Sequence, residues 1–153
     1  MSAIALNAAS ISVDCDPARL DIALIHGFLA SSYWARDIPM ALLQSALEHS
    51  LCFGLYDDRQ QIGFARVISD YATFAYLADV FVIEAYRGRG HSKLLMAAVM
   101  AHPRLQDLRR WMLVTRNAHA LYAPFGFKAL AAPERVMERH DPDVYARALM
   151  TQR

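Results

Sequence analysis

Apolar residues recur along this chain with two different periods, and the change of period divides it. Leu20, Leu24 and Phe28 stand four apart, which gives one apolar face to a helix. Asp16-Pro17 supplies its start signal, a carboxylate to cap free N–H groups and a proline suited to the first helical position, so this helix is expected to run to about Ala30. A second helix is expected from near Pro39, with Met40, Leu43 and Leu47 facing inward. The polar and aromatic stretch SSYWARDI connects the two. From Leu51 the period shortens, and LCFGLY, the turn DDRQ and QIGFARVIS predict a hairpin. After a second turn, DYAT, a third strand is expected from Phe74 to Ile83. It must be antiparallel to the one before, because the connection is too short for a crossover.

Beyond Gly90 an apolar helix is expected to reach about Ala101, stopped by Pro103, and RRWMLVT reads as a further strand. Strand, helix, strand in that order predicts a parallel, right-handed crossover. Asn117 is placed to cap a short helix through Tyr122, ended by Gly126, and FKAL and RVMER read as final strands. The string predicts an α/β fold, with a mixed, mostly antiparallel central sheet and helices on both faces. At 153 residues, one domain over 1–153 is the expectation.

Composition narrows the function classes. The chain is 56% hydrophobic and 20% charged, yet it has no apolar run near the roughly 18 residues of a membrane span. The start, MSAIALNAAS, has no Lys or Arg before its apolar patch and fails as a secretory signal, so a cytoplasmic location is the default. Cys15 and Cys52 lack the spacing of a metal or redox pair, and no metal set is expected. A net charge of +1 argues against nucleic acid as a partner.

The candidate chemistry sits where the third strand meets the apolar helix, at Arg87-Gly88-Arg89-Gly90. A helix N-terminus carries unpaired N–H groups and partial positive charge. Here it is stripped of side chains: Gly88 and Gly90 permit positive φ and close backbone approach, while Arg87, Arg89 and Lys93 add formal charge. That suits a pyrophosphate, although RGRG also serves as a solvated turn. The P-loop spacing is absent, and Lys93 stands where the dinucleotide fingerprint needs its third glycine. An antiparallel meander before the loop also excludes the dinucleotide fold.

Arg87-Gly88-Arg89-Gly90-His91-Ser92 resembles the Arg/Gln-x-x-Gly-x-Gly/Ala signature of the GNAT superfamily of acetyl-CoA-dependent N-acetyltransferases. LADVFVIEAY resembles that family's fourth strand, LYAPFGF its later helix and turn, and the order of elements is similar over nearly the whole chain. The resemblance implies a GNAT-like fold, acetyl-CoA as acyl donor, and acetyl transfer to the primary amine of a small molecule by direct attack in a ternary complex. It also implies that backbone amides from Gly88 through Arg89, Gly90, His91 and Ser92 to Lys93 hold the pyrophosphate. Val80, Phe81 and Val82 would pair with the pantetheine arm as an added strand. Asn117 would touch the cofactor, and Tyr122 would sit beside the sulfur. Relatives often dimerise, so a homodimer is a further expectation.

Three departures bear on this. Ser92 stands where Gly or Ala is usual, Glu84 where proline is common, and Pro124 falls inside the expected short helix, where it removes a hydrogen bond at a cost of about 3 kcal/mol. They keep open a second reading, a non-catalytic acyl-CoA-binding sensor or subunit.

Acyl transfer from a thioester requires a neutral amine, donors for the developing oxyanion and a proton for the thiolate. Backbone N–H groups from Phe81 to Ile83 are candidates for the oxyanion, and Tyr122 for the proton. Asp79, placed by alternation among Leu77, Phe81 and Ile83, reads either as a base or as the structural partner of an arginine. His119 shares a helical face with Tyr122 and reads as a proton relay or as a packing residue. Water is a third acceptor. For the substrate amine, Tyr33 and Trp34 offer an aromatic wall and Arg36 a bidentate anion contact, unless Trp34 packs and Arg36 is solvated.

Overall fold

The computed structural model describes residues 10–151. The first strand, β1 (Ile11–Asp14), pairs antiparallel with the end of β2 (Leu51–Asp57), which forms a hairpin with β3 (Gln60–Ser69). Antiparallel to β3 runs β4 (Phe74–Val82), and β5 (Arg110–Met112) joins β4 in parallel. The strand order is therefore β1-β2-β3-β4-β5 in one sheet. The helices are α1 (Ile22–Ala30), α2 (Met40–Glu48), α3 (His91–Ala101), the single turn α4 (His119–Tyr122) and α5 (Val144–Met150).

Each face of the sheet has its own core. On one, Phe53, Leu55, Val67 and Leu77 pack against Leu95, Met96 and Val99 of α3. On the other, Cys52, Phe64 and Phe81 pack against Ile25 and Leu29 of α1 and Leu43 and Leu47 of α2. The expected mixed, mostly antiparallel sheet covered on both faces is what forms. Phe81 anchors the second core: its ring stacks on Phe28 with centroids 3.9 Å apart and leans on Phe64 at 5.9 Å. Burial of such a ring is worth about 1.5–3 kcal/mol before its stacking is counted.

Several boundaries differ from expectation, each for a local reason. Asp16 and Pro17 do start a helical turn, but it is a 3-10 turn, Pro17–Arg19, and α1 begins afresh where the Asp21 carboxylate accepts from Leu24 N–H at 3.0 Å. The expected strand RRWMLVT shortens to three residues. FKAL and RVMER form no strand; Pro133 opens a 3-10 turn, Pro133–Arg135, inside the latter region. Neither β1 nor α5 is visible in the periodicity. Asn117 does not cap α4: Ala118 holds that position, and its N–H donates to Thr115 Oγ1 at 3.0 Å. Pro124 breaks nothing. It lies in a 3-10 turn, Ala123–Phe125, that starts as α4 ends, so its missing N–H has no helical partner to lose, and Gly126 closes the turn at φ 91°.

The feature that shapes the site is a β-bulge in β4. Phe64 pairs with Phe81 and Arg66 with Ala78, so the two residues Asp79 and Val80 lie opposite the single Ala65. Asp79 takes the left-handed conformation, φ 57°. On the facing strand Gly63 admits no side chain, since a Cβ there would lie 2.8 Å from the Phe81 carbonyl oxygen. The extra residue resets the alternation. Leu77 stays on the α3 side while Phe81 moves to the α1/α2 side, so the strict alternation that grouped Asp79 with both is corrected.

Candidate functional site

Past the bulge, β4 loses its neighbour on one side. β5 pairs with it only at Phe74, Ala75 and Tyr76. On the other side, Ile83 N–H still donates to Ile62 O at 2.8 Å. By the alternation of an antiparallel ladder, Val80 and Val82 then turn their main-chain groups away from β3, into the gap beside β5. The pairing also corrects one expectation: the Ile83 N–H is taken and is not a free donor.

The gap leads into the start of α3. A 3-10 turn, Glu84–Tyr86, precedes it, and Gly88 and Gly90 then adopt φ 75° and 80°, the left-handed region where a side chain is strained. Gly90 is the N-cap and offers no side-chain cap. The first helical bond is Leu94 N–H to Gly90 O at 3.2 Å, which leaves the N–H groups of His91, Ser92 and Lys93 pointing out of the helix end. These residues, with Tyr86, Arg87, Gly88, Gly90 and Leu121, line a cavity of about 410 Å³. A Cβ at Gly88 or Gly90 would meet nothing within 4 Å, so the space above the loop is open.

The cations of this loop do not act alike. Arg87 turns back, and its Nε–H donates to the Val82 carbonyl at 2.9 Å, tying the loop to the end of β4. It is a positioning residue here rather than a free anion ligand. Arg89 lies over the Tyr86 ring at 5.4 Å. Lys93 is exposed, and Ser92 is half-buried at the cavity wall. Tyr86 is itself fixed by donating to Asp57 Oδ2 at 2.7 Å. A bond from the Ser10 hydroxyl, followed by that from Tyr86, holds the Asp57 carboxyl below its usual range.

On the α1/α2 side of β4 a second cluster forms. Asp79 accepts from Arg66 Nε–H at 2.7 Å on one oxygen and from Trp34 Nε1–H at 2.9 Å on the other. Arg66 also donates to Ser50 Oγ at 3.1 Å. Of the two sequence readings of Asp79, the geometry displays the arginine partnership. Trp34 stands edge-on to Tyr33, with centroids 5.1 Å apart, and tilts against Phe28 at 6.2 Å. The Tyr33 hydroxyl accepts from Arg116 N–H at 3.2 Å, and the Arg116 guanidinium lies 4.0 Å above its ring. Trp34 is thus packed and bonded yet still 42% exposed, a wall residue. Arg36 is exposed and has no ion-pair partner among the described residues.

Tyr122 is 9% exposed in the core on the α3 side, edge-on to Phe127. Burial, with the Tyr33 phenol adding to it, pushes its pKa above the ordinary value, so the hydroxyl stays protonated at neutral pH. His119, three residues earlier, is exposed at the start of α4, and Asn117 is exposed just before it. Arg66, Ser50 and Arg116 were not singled out from the sequence. Arg66 had a signal, a charge inside the apolar strand GFARVIS; Arg116, 83 residues from Tyr33, had none.

The chain matches the Acetyltransferase (GNAT) family over residues 22–127, and it belongs to that family. A crystal structure from Xanthomonas campestris pv. campestris, of a protein provisionally assigned as a GNAT acetyltransferase, is 57% identical, covers 89% of this chain and 96% of its own, and superposes with a TM-score of 0.86. A Gibberella zeae protein with a provisional acetyltransferase name is 34% identical over 72% of this chain and 74% of its own. At 13% identity the likeness is one of fold to a provisionally assigned Clostridium acetobutylicum acetyltransferase solved with acetyl-CoA, with a TM-score of 0.62 over 85% of this chain and 96% of its own.

Proposed function

We propose that this protein transfers the acetyl group of acetyl-CoA to the primary amine of a small molecule, by direct attack while both are bound. The observation that carries the reading is the continuity of two bare backbone surfaces. The edge of β4 at Val80 and Val82, which no strand among the described residues covers, runs into the uncapped N-terminus of α3; the Val82 carbonyl is taken by Arg87 Nε–H, so its N–H is the group offered there. An extended amide-bearing arm suits the first, as an added strand, and a diphosphate suits the second. The residues fit such a donor, since the cavity over Gly88, Gly90 and Ser92 is open and no side chain caps the helix.

Acetyl-CoA, when bound, supplies an activated acyl carbon and a thiol leaving group. The chain's own residues do the rest. Main-chain donors at Val80 and Val82 face the gap where negative charge on an acyl oxygen would develop. Tyr122, kept neutral by burial, holds a proton for a departing thiolate, whose ordinary pKa of about 8.5 is below that of a phenol. Asp79 clamps Trp34 and Arg66 together beside the bulge and so fixes its geometry, while His119 and water are left as acceptors for the amine proton. Tyr33, Trp34 and Arg36 lie on the connection between α1 and α2, which forms the acceptor side.

Thiol release from acetyl-CoA in the presence of a panel of small amines tests the reading. Turnover with at least one amine, with the mass of an N-acetyl product, is expected. Tight donor binding with no turnover across the panel would instead favour a non-catalytic acyl-CoA sensor.

A further inference from the structure

Arg116 is a cation held in place without an anion. It lies in the connection from β5 to α4, past the point where β5 parts from β4. Two contacts fix it against Tyr33: its main-chain N–H donates to the Tyr33 hydroxyl at 3.2 Å, and its guanidinium lies 4.0 Å above the Tyr33 ring. The turn behind it is closed by the Ala118 N–H, which donates to Thr115 Oγ1 at 3.0 Å. The residue is nevertheless exposed, and its guanidinium has neither an ion pair nor a side-chain hydrogen bond among the described residues. A guanidinium resting on an aromatic face keeps its N–H donors for a planar or tetrahedral oxyanion.

The surroundings favour an anion at this point. Two connections meet through Tyr33 and Arg116, residues 31–39 and 113–118, and their charged side chains are Arg36, Asp37 and Arg116. Arg36 and Asp37 are adjacent and offset each other, so Arg116 is the surplus charge. Asp79 has both carboxylate oxygens occupied, by Arg66 and by Trp34, and offers no seat to the second ammonium of a polyamine. The corner is also close to the chemistry. Burial and, after it, the Tyr33 phenol raise the pKa of Tyr122, so the ring beneath Arg116 lies within electrostatic reach of the proposed proton donor.

We infer that Arg116 determines specificity for the acceptor, and that the amine acetylated here carries an oxyanion, a carboxylate or a phosphate, bound at the Arg116 guanidinium over Tyr33. This rests on the reading of the protein as an acetyltransferase for small amines. The oxyanion is held at Arg116, the body of the molecule lies along Trp34, and the amine reaches toward the gap between β4 and β5. Its nitrogen takes the acetyl group, CoA leaves as the thiol, the proton lost by the amine balances the one gained by the thiolate, and the oxyanion is unchanged.

Matched pairs of small amines measure the preference. α-Amino acids are set against their own carboxamides, and O-phosphoethanolamine against ethanolamine, by calorimetric titration into CoA-saturated protein. At least one anionic member is expected to bind about tenfold or more tighter than the partner that lacks the oxyanion, and the pair that shows it separates carboxylate from phosphate. Arg116→Gln should abolish the preference, while Arg116→Lys, which keeps the charge without the fork, should retain part of it. The thermal midpoint of Arg116→Gln should stay at the wild-type value, because the side chain is exposed and the main-chain bond to Tyr33 remains. Thiol release from acetyl-CoA is followed separately on the same pairs. Binding of an anionic amine without turnover would sink the transfer reading and leave Arg116 in its role. No preference in binding, equal turnover of both members of every pair, or a preference that survives Arg116→Gln would overturn the inference.

Discussion

The two loops of the proposed site are built in opposite ways. The one entering α3 is shaped by backbone conformation, through Gly88 and Gly90 at positive φ and helix donors left bare. The one between α1 and α2 is held by side chains, with Trp34 bonded to Asp79 45 residues away and Tyr33 to Arg116 83 residues away. A cradle of main-chain donors tolerates most side-chain changes around its glycines. A loop latched through specific partners fails when one partner is lost. The donor side should therefore be sensitive at few positions and the acceptor side at many.

The largest effect is expected from Asp79→Ala. The side chains of Arg66 and Asp79 are 16% and 9% exposed, so the substitution strands a largely buried guanidinium and should cost about 3 kcal/mol, read from the denaturant midpoint at constant slope. It should also alter Trp34 fluorescence, since the indole N–H loses its acceptor. A cost below about 1 kcal/mol would rank the pair with ordinary surface bridges and weaken the contrast between the loops.

Tyr122→Phe is expected to lower kcat about 100-fold while sparing acetyl-CoA affinity. Because burial raises the Tyr122 pKa, the wild-type rate should hold into alkaline pH beyond an ordinary phenol before it falls. An unchanged rate at every pH would remove the residue from proton transfer.

Gly90→Val tests the donor side. At φ 80° the new side chain adds about 1–2 kcal/mol of strain, and it stands at the mouth of the cradle, so acetyl-CoA affinity by calorimetry should fall about tenfold or more. Lys93→Ala, which removes a charge but no backbone donor, should change it far less. If the order were reversed, side-chain charge rather than main-chain geometry would be the basis of the cradle.

The smallest effect concerns Cys52 in the core below the acceptor loop. Burial pushes its thiol up to about 11. The folded state therefore holds this proton more tightly than the unfolded chain, and the stabilisation is complete at neutral pH and is lost as pH rises from the ordinary thiol value through about 11. Cys52→Ala should flatten that part of the stability curve. An unchanged slope would mean that the thiol does not contribute there.

The same contrast explains what could be read from the sequence. The hairpin, α3 and its glycine loop were legible, because each rests on local rules of period and turn chemistry over a few residues. The bulge was not: the extra residue at Asp79 is defined by pairing with β3, and with it went the face assigned to Asp79 and Phe81. The latches Trp34–Asp79 and Tyr33–Arg116 join residues too far apart for any local pattern. RVMER illustrates a further limit. Its β-branched and apolar centre reads as a strand, yet among the described residues it finds no sheet edge to pair with.

In the proposed function, main-chain groups along β4 and at the start of α3 grip the acyl donor. Amide hydrogen exchange, with and without saturating CoA, addresses those groups one by one. Slowed exchange at Val80, Val82 and His91 to Lys93, with the far ends of α1 and α2 unchanged, is the expected result. Exchange at those five amides that is indifferent to CoA, or protection confined to other surfaces, would contradict it.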